Sequence, residues 1–374
     1  MTFEGTRRLL ASHGLRTLVL RRKPDEGCLL IAPDLSGRII AVSLDGPGGE
    51  NFGFVKEEAI ANKGRNPQFN AYGGALRWWI GPEGGQYGLA FPPGTNRFDL
   101  DSWRIPEEYN GKSFNVLYPK DTEGSAALLG AECRLENASG TRFHIGVSCR
   151  IGLIGSPLPP KKKSASLRHF GYRCEMCFEN LSSAPMRRET GLVSIWMLGM
   201  YMPSAHAFVI APFEKGGAKK IVTDTYFSPS GLSRHRLMIR ENDGYLVFRA
   251  DGKERSKIGL SRSRASATLG SIDFTRNLLT VWRFPVRRRM AYVNSLWELQ
   301  KHPYSGDVVN SYNDDGKIGD FYELECSSPA LALLPGERAR FPLDIHHFDG
   351  PHEALLKTTS RLLGRKLRET DLRT

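Results

Sequence analysis

The segment Phe143–Ile151 places Phe143, Ile145, Val147, Cys149 and Ile151 at every second position, with His144, Ser148 and Arg150 between them. A side-chain period of two belongs to a strand with one buried face, not to a helix. A second kind of strand is read in Gly191–Met200, which is almost wholly apolar and so predicts burial on both faces. Further strands are expected at Thr17–Leu20, Cys28–Ile31, Gly37–Leu44, Tyr172–Asn180, Leu246–Ala250, Leu278–Phe284 and Phe321–Cys326. Helical spacing is confined to the ends, near 3–14 and near 353–368. With 39 glycines and 22 prolines, about one residue in six favours a turn. The pattern predicts an all-β chain with a few peripheral helices, folded as a large antiparallel β-sandwich. A single domain over 1–374 is expected, the alternative being two β domains meeting within 156–169.

The charge balance restricts partners. A net charge of +12 invites a nucleic-acid reading. However, the clusters Lys161-Lys162-Lys163, Arg287-Arg288-Arg289 and the run from Arg361 to Arg373 lie far apart, with no helix-turn-helix or finger beside them. Solvated loops explain them, and no nucleic-acid partner is expected. No segment approaches the roughly 18 consecutive apolar residues of a membrane span, so no membrane partner is expected either. Arg7, Arg8, His13 and Arg16 interrupt the N-terminus, which does not read as a signal peptide. As given, the chain is expected in the cytoplasm, or in the periplasm or secreted if a leader was removed. The sequence carries no signal for an oligomeric state.

Six cysteines are too sparse for a disulfide scaffold. Cys174 and Cys177 have redox or zinc spacing, but on a strand residues three apart face opposite ways. The nine histidines form no metal signature, and Asp307, Asp314 and Asp320 fit no EF-hand spacing, so no metal is expected. No phosphate-binding loop or Gly-x-Ser-x-Gly elbow occurs, and no cofactor is expected.

Chemistry concentrates in four segments. Tyr72-Gly73-Gly74-Ala75-Leu76-Arg77-Trp78-Trp79-Ile80-Gly81-Pro82-Glu83-Gly84-Gly85-Gln86 packs Arg77, Trp78, Trp79, Glu83 and Gln86 among paired glycines. Aromatic faces, a guanidinium fork and a carboxylate suit a sugar site; a glycine-rich corner with core tryptophans and a structural Arg–Glu pair is the alternative. Glu323 and Glu325 fall on one strand face, roughly 7 Å apart along the strand. Their mutual repulsion would keep one proton on to higher pH, as general acid–base chemistry requires. From Trp297 to Asn310, Tyr312 and Asn313, amides and aromatic rings mix as in hydroxyl-rich recognition, or as in a polar loop. Asp251-Gly252 suits a type I′ hairpin turn, after which Arg255 and Lys257 share a face that is either solvent-exposed or lines an anion site. His144, on the polar face of its strand, is a proton-transfer candidate.

Five motifs together resemble an uncharacterised bacterial domain family with a galactose-mutarotase-like supersandwich fold. They are Tyr72–Gln86, Ser194–Met200, Arg255–Gly259, Gly306–Asp314 and Phe321–Pro329, in order along nearly the whole chain. The resemblance implies a sugar-sized cleft and chemistry like that of aldose 1-epimerases. In those enzymes a late-strand glutamate shortly before a proline is the base, a histidine protonates the ring oxygen, and an early arginine binds. Glu325, four residues before Pro329, matches the base, with Glu323 second, and Arg77 matches the arginine. The middle strand reads Ile195-Trp196-Met197-Leu198 and lacks the histidine, so His144, His169 or a protonated Glu83 has to replace it.

The expected function is therefore a carbohydrate-active protein that binds a sugar or sugar acid, with proton transfer at the anomeric carbon. Glu325 is the expected base and Glu323 or Glu83 its acid partner. Arg77 and Lys257 would be hydroxyl or anion ligands; Trp78, Trp79 and Trp297 would be stacking surfaces. The rivals are a glycoside hydrolase or lyase with paired carboxylates across the cleft, and a non-catalytic carbohydrate-binding module. All of these require segments about 240 positions apart to share one pocket wall.

Overall fold

The computed structural model describes residues 1–23, 26–62, 66–119, 121–159, 166–216 and 220–372. Pro24 and Asp25, between the expected strands Thr17–Leu20 and Cys28–Ile31, lie outside these, as do the Lys161–Lys163 cluster and Arg373. Among the described residues the strands form three sheets of four, five and ten strands.

The ten-stranded sheet is antiparallel throughout. Its long central strands include Ala126–Glu136, Arg142–Ile154, Arg168–Asn180 and Arg338–Asp349. In Arg142–Ile154 the buried side chains are those the alternation selects, Phe143 through Ile151 at every second position. The five-stranded sheet runs Ser256–Ser261, Asp307–Asn313, Tyr322–Ser327, Ser194–Tyr201, Arg77–Gly81, again antiparallel. Every residue of Ser194–Tyr201 is buried, as its apolar run predicts.

The two large sheets face each other. Trp78, Leu324 and Cys326 on one side share a core with Phe178, Trp282 and Ile345 on the other. Two polar links also cross the gap: Trp282 Nε1 donates to Tyr201 Oη at 3.2 Å, and Tyr322 Oη to Ser271 Oγ at 2.9 Å. This is the antiparallel β-sandwich read from the sequence.

The helices are peripheral. Phe3–Ser12 is capped by Thr2, whose hydroxyl accepts from the Gly5 amide at 3.0 Å. His352–Leu363 lays Leu355 and Leu363 against Leu279 and Phe348 of the ten-stranded sheet. It stops short of the expected residue 368 because Gly364 adopts φ 65°, a left-handed cap that ends a helix. Asp251-Gly252 is likewise not a hairpin turn. Tyr245–Arg249 before it belongs to the ten-stranded sheet, and Ser256–Ser261 after it to the five-stranded one. The connection changes sheets, and only Gly252 of the pair has positive φ, where type I′ needs both. Among the described residues no helix is long and apolar enough to cross a membrane.

Candidate functional site

A strand covered on one face by a second sheet presents its alternate residues to the other face, and the outer face of the five-stranded sheet is the floor of a cleft of about 350 Å³. Cross-strand register aligns Gly259, Asn310, Glu325, Leu198 and Arg77 in one row across all five strands. The neighbouring rows add Lys257, Tyr312 and Glu323 on one side, and Ser327, Trp196 and Trp79 on the other. Arg77, Trp79, Lys257, Asn310, Tyr312 and Glu323 line the cleft. Thus segments 246 positions apart share its wall: Arg77 Nη2 pairs with Glu323 Oε1 at 2.7 Å, both nearly buried. The backbone beside Arg77 is set by Gly73, where φ is 89° and a Cβ would meet the Phe54 carbonyl oxygen at 2.0 Å. Only glycine fits there.

The electrostatics centre on the middle strand. Lys257 Nζ donates to Glu325 Oε2 at 3.0 Å, and the Trp196 indole donates to the same oxygen at 3.1 Å. Each cation reaches across one intervening strand, so both edge strands of the sheet are tied to the glutamates of Tyr322–Ser327. Burial opposes the Lys257 charge, but Glu325, Glu83 and Glu323 outweigh it and hold the ammonium above its ordinary value. Burial raises the Glu323 carboxyl, Arg77 lowers it, and the neighbouring Glu325 charge raises it again; the balance is upward.

Glu83 sits on the loop after the Arg77–Gly81 strand, enclosed by protein yet open on one side to the cleft. Its Oε1 accepts from Trp103 Nε1 at 2.9 Å, with the Trp297 indole as a second donor. Burial pushes its pKa up against the opposing effects of Lys257 and the two indoles. Asp307 at the far wall is raised by burial too, and accepts from Tyr226 Oη at 2.6 Å. Aromatic side chains close the cleft: Phe69, Trp79, Trp103, Trp196, Tyr226 and Trp297.

Several expected site residues lie elsewhere. Trp78 alternates away from the cleft; its indole donates to the Ser36 carbonyl at 2.8 Å and its rings pack on Phe114 and Phe178. Gln86 is engaged by Gln300, donating to its carbonyl at 2.9 Å and accepting from its amide at 3.0 Å. Asn313 is fully buried on the opposite strand face from Tyr312, bonded to Gly252 N and Glu254 O. His144 is on the ten-stranded sheet, 2.8 Å from Glu132, and does not line the cleft. His169 is there as well, 3.1 Å from His346. Glu325 is on the cleft side of its strand but fully covered by Lys257 and Trp196. Trp103, Tyr226 and Phe227 also line the cleft; their sequence signal was large aromatic residues in polar loop segments. Among the described residues no three His, Cys, Asp or Glu side chains group as a metal site.

Residues 1–373 match a family of unknown function. The chain belongs to DUF6786. No curated protein matches this DUF6786 member in sequence. A candidate aldose 1-epimerase from Escherichia coli K12 superposes on 89% of the chain and 98% of its own length, with a TM-score of 0.50 at 11% identity. The Slr1438 protein from Synechocystis sp. PCC 6803 covers 90% and 96%, with a TM-score of 0.49 at 13% identity. A candidate mutarotase, YeaD, from Salmonella typhimurium covers 88% and 93%, at 0.42 and 11%. The first of these likenesses shows the fold alone: the DUF6786 chain is a mutarotase-like β-sandwich.

Proposed function

We propose that this DUF6786 protein is carbohydrate-active, taking a sugar or sugar acid into the cleft and moving a proton at the anomeric carbon. One observation carries the reading. Buried polar atoms without a protein partner gather on residues that line the cleft floor: Arg77 Nε and Nη1 and Trp79 Nε1. An unpaired buried donor or acceptor costs about 1–3 kcal/mol, so their gathering beneath aromatic rings marks a surface built for a hydroxyl-rich ligand. The E. coli candidate aldose 1-epimerase supports the same class at the level of fold.

Glu83 is the proton donor. Its hydrogen-bonding neighbours are neutral indoles and its raised pKa keeps the acid form available. The acceptor is Glu323 rather than Glu325, because Glu323 lines the cleft, where the Arg77 guanidinium at 2.7 Å offsets part of the burial that raises its carboxyl. Glu323 takes the proton of the anomeric hydroxyl while Glu83 protonates the ring oxygen. The bond from the anomeric carbon to that oxygen breaks, leaving the open-chain aldehyde. Closure on the other face returns both protons and gives the second anomer.

Exchange between anomers, followed by NMR on neutral and acidic reducing sugars, tests this. Glu83→Gln is expected to slow exchange at least ~100-fold while tryptophan quenching by the sugar persists. Unchanged exchange in that variant, or no saccharide that perturbs the tryptophans, would overturn the reading.

A further inference from the structure

The cleft does not end at the aromatic wall. A second chamber of about 880 Å³ adjoins it, lined by Lys56, Gln68, Asp315 and Lys317 among others. Phe69, Leu100, Trp103, Arg255 and Ile318 line both spaces. The inner space lies near the lower end of the roughly 300–1,000 Å³ usual for small-molecule sites, and the two together exceed the upper end. One sugar ring at Glu83 leaves the outer chamber unused.

Arg255 stands at the junction and differs from the other cations of the floor. Arg77 is paired with Glu323 and Lys257 with Glu325, whereas no carboxylate pairs with Arg255 among the described residues. Its guanidinium carbon lies 4.1 Å from the Phe227 ring centroid, and its Nε donates to Tyr312 Oη at 3.2 Å. Tyr312 Oη in turn donates to Asp314 Oδ2 at 2.6 Å. The Asp314 charge is itself engaged, its other oxygen accepting from the Ile318 and Gly319 amides. The Phe227 ring and the Nε bond hold the guanidinium in place, and among the described residues its terminal nitrogens take no protein partner. A pre-oriented, partly desolvated guanidinium without a counter-ion is the arrangement that binds a planar carboxylate through two parallel bonds.

We infer that the ligand is an acidic oligosaccharide lying across both chambers, with a uronate carboxylate on Arg255 and its reducing end at Glu83. This rests on the proposed carbohydrate function and narrows it to a ligand class.

The experiment is calorimetric titration of the full chain with a uronic acid monosaccharide, its di- and trisaccharides, and neutral oligosaccharides of equal length, all at fixed ionic strength. The acidic trisaccharide is expected to bind at least tenfold more tightly than both its neutral counterpart and the acidic monosaccharide. Arg255→Gln, checked for an unchanged melting temperature, is expected to reduce the acid preference to within about twofold while neutral binding persists. Arg255→Lys, which keeps the charge but loses the fork, is expected to fall between. Equal binding of acidic and neutral trisaccharides overturns the inference and leaves the carbohydrate reading standing. So does a preference that survives Arg255→Gln, or a monosaccharide as tight as the trisaccharide. Failure of every saccharide to bind overturns both.

Discussion

At the scale of single residues, Glu83 carries the most chemical information. Its carboxyl is raised from the ordinary value of 4.5, chiefly by burial. The folded state therefore keeps a proton that the unfolded chain has already lost. The stability from that proton is full below about pH 4.5 and is lost as pH rises through the folded value. Glu83→Gln is permanently neutral and has no such loss, so its stability relative to wild type is expected to grow from pH 4 to pH 8. Urea unfolding of both proteins across that range checks it, and a flat or falling difference would refute the assigned shift. Asp307 titrates in both proteins and cancels; Glu323, whose charge helps to raise Glu83, is replaced by Gln in both so that its coupling does not enter the difference. Residue types here were readable from the sequence, since Arg77, Trp79 and Glu83 lie within seven positions. Orientation was only half readable. Period two separates Trp78 from Trp79 but does not say which of them meets the other sheet. His144 shows the same gap: it lies on the polar face as expected, but of a strand in the ten-stranded sheet, bonded to Glu132 and outside the cleft lining.

At the scale of elements, the five-stranded sheet is held by ion pairs that each skip a strand. Neither pair could be read from sequence, because Lys257–Glu325 and Arg77–Glu323 are set by strand order. The order is Ser256–Ser261, Asp307–Asn313, Tyr322–Ser327, Ser194–Tyr201, Arg77–Gly81, and it places the late glutamates centrally. The strand runs themselves were legible, because Gly191–Met200 is too apolar to be a loop and Phe321–Cys326 alternates Glu323 and Glu325 with Tyr322 and Leu324. The sheet change after Arg249 was not, since Asp251-Gly252 has the composition of a hairpin turn. The skipped-strand pairing makes a definite prediction. Glu325 is fully buried, so Lys257→Met leaves a carboxylate without its cation. Breaking a buried pair in this way costs about 3–5 kcal/mol. The double variant Lys257→Met, Glu325→Leu is expected to recover most of that loss, because two apolar side chains replace two paired charges. Denaturant midpoints of the two variants separate this from a general loss of packing, in which the double variant would be worse than the single.

At the scale of the whole molecule, the floor of the cleft is one face of a sheet whose other face is the core, so the geometry of the site depends on the contact between sheets. Trp282 sits at that contact, fully buried in the ten-stranded sheet, with its indole bonded to Tyr201 of the five-stranded one. Tyr201 closes the strand that also carries Trp196 and Leu198 into the cleft. Gly199, on the same strand, has no room for a Cβ, which would fall 2.7 Å from the Trp282 ring. Trp282→Ala removes the ring from this contact and is expected to cost about 3–5 kcal/mol. If the chain is one cooperative unit, both sheets should unfold together in wild type and variant alike. Tryptophan fluorescence, four of whose six reporters line the cleft, and far-ultraviolet circular dichroism, which reports all three sheets, should then give the same midpoint. Two separated transitions would show instead that the sheets fold independently. In that case the cleft would be a surface carried by the five-stranded sheet, and loss of Trp282 would leave the proposed sugar binding untouched.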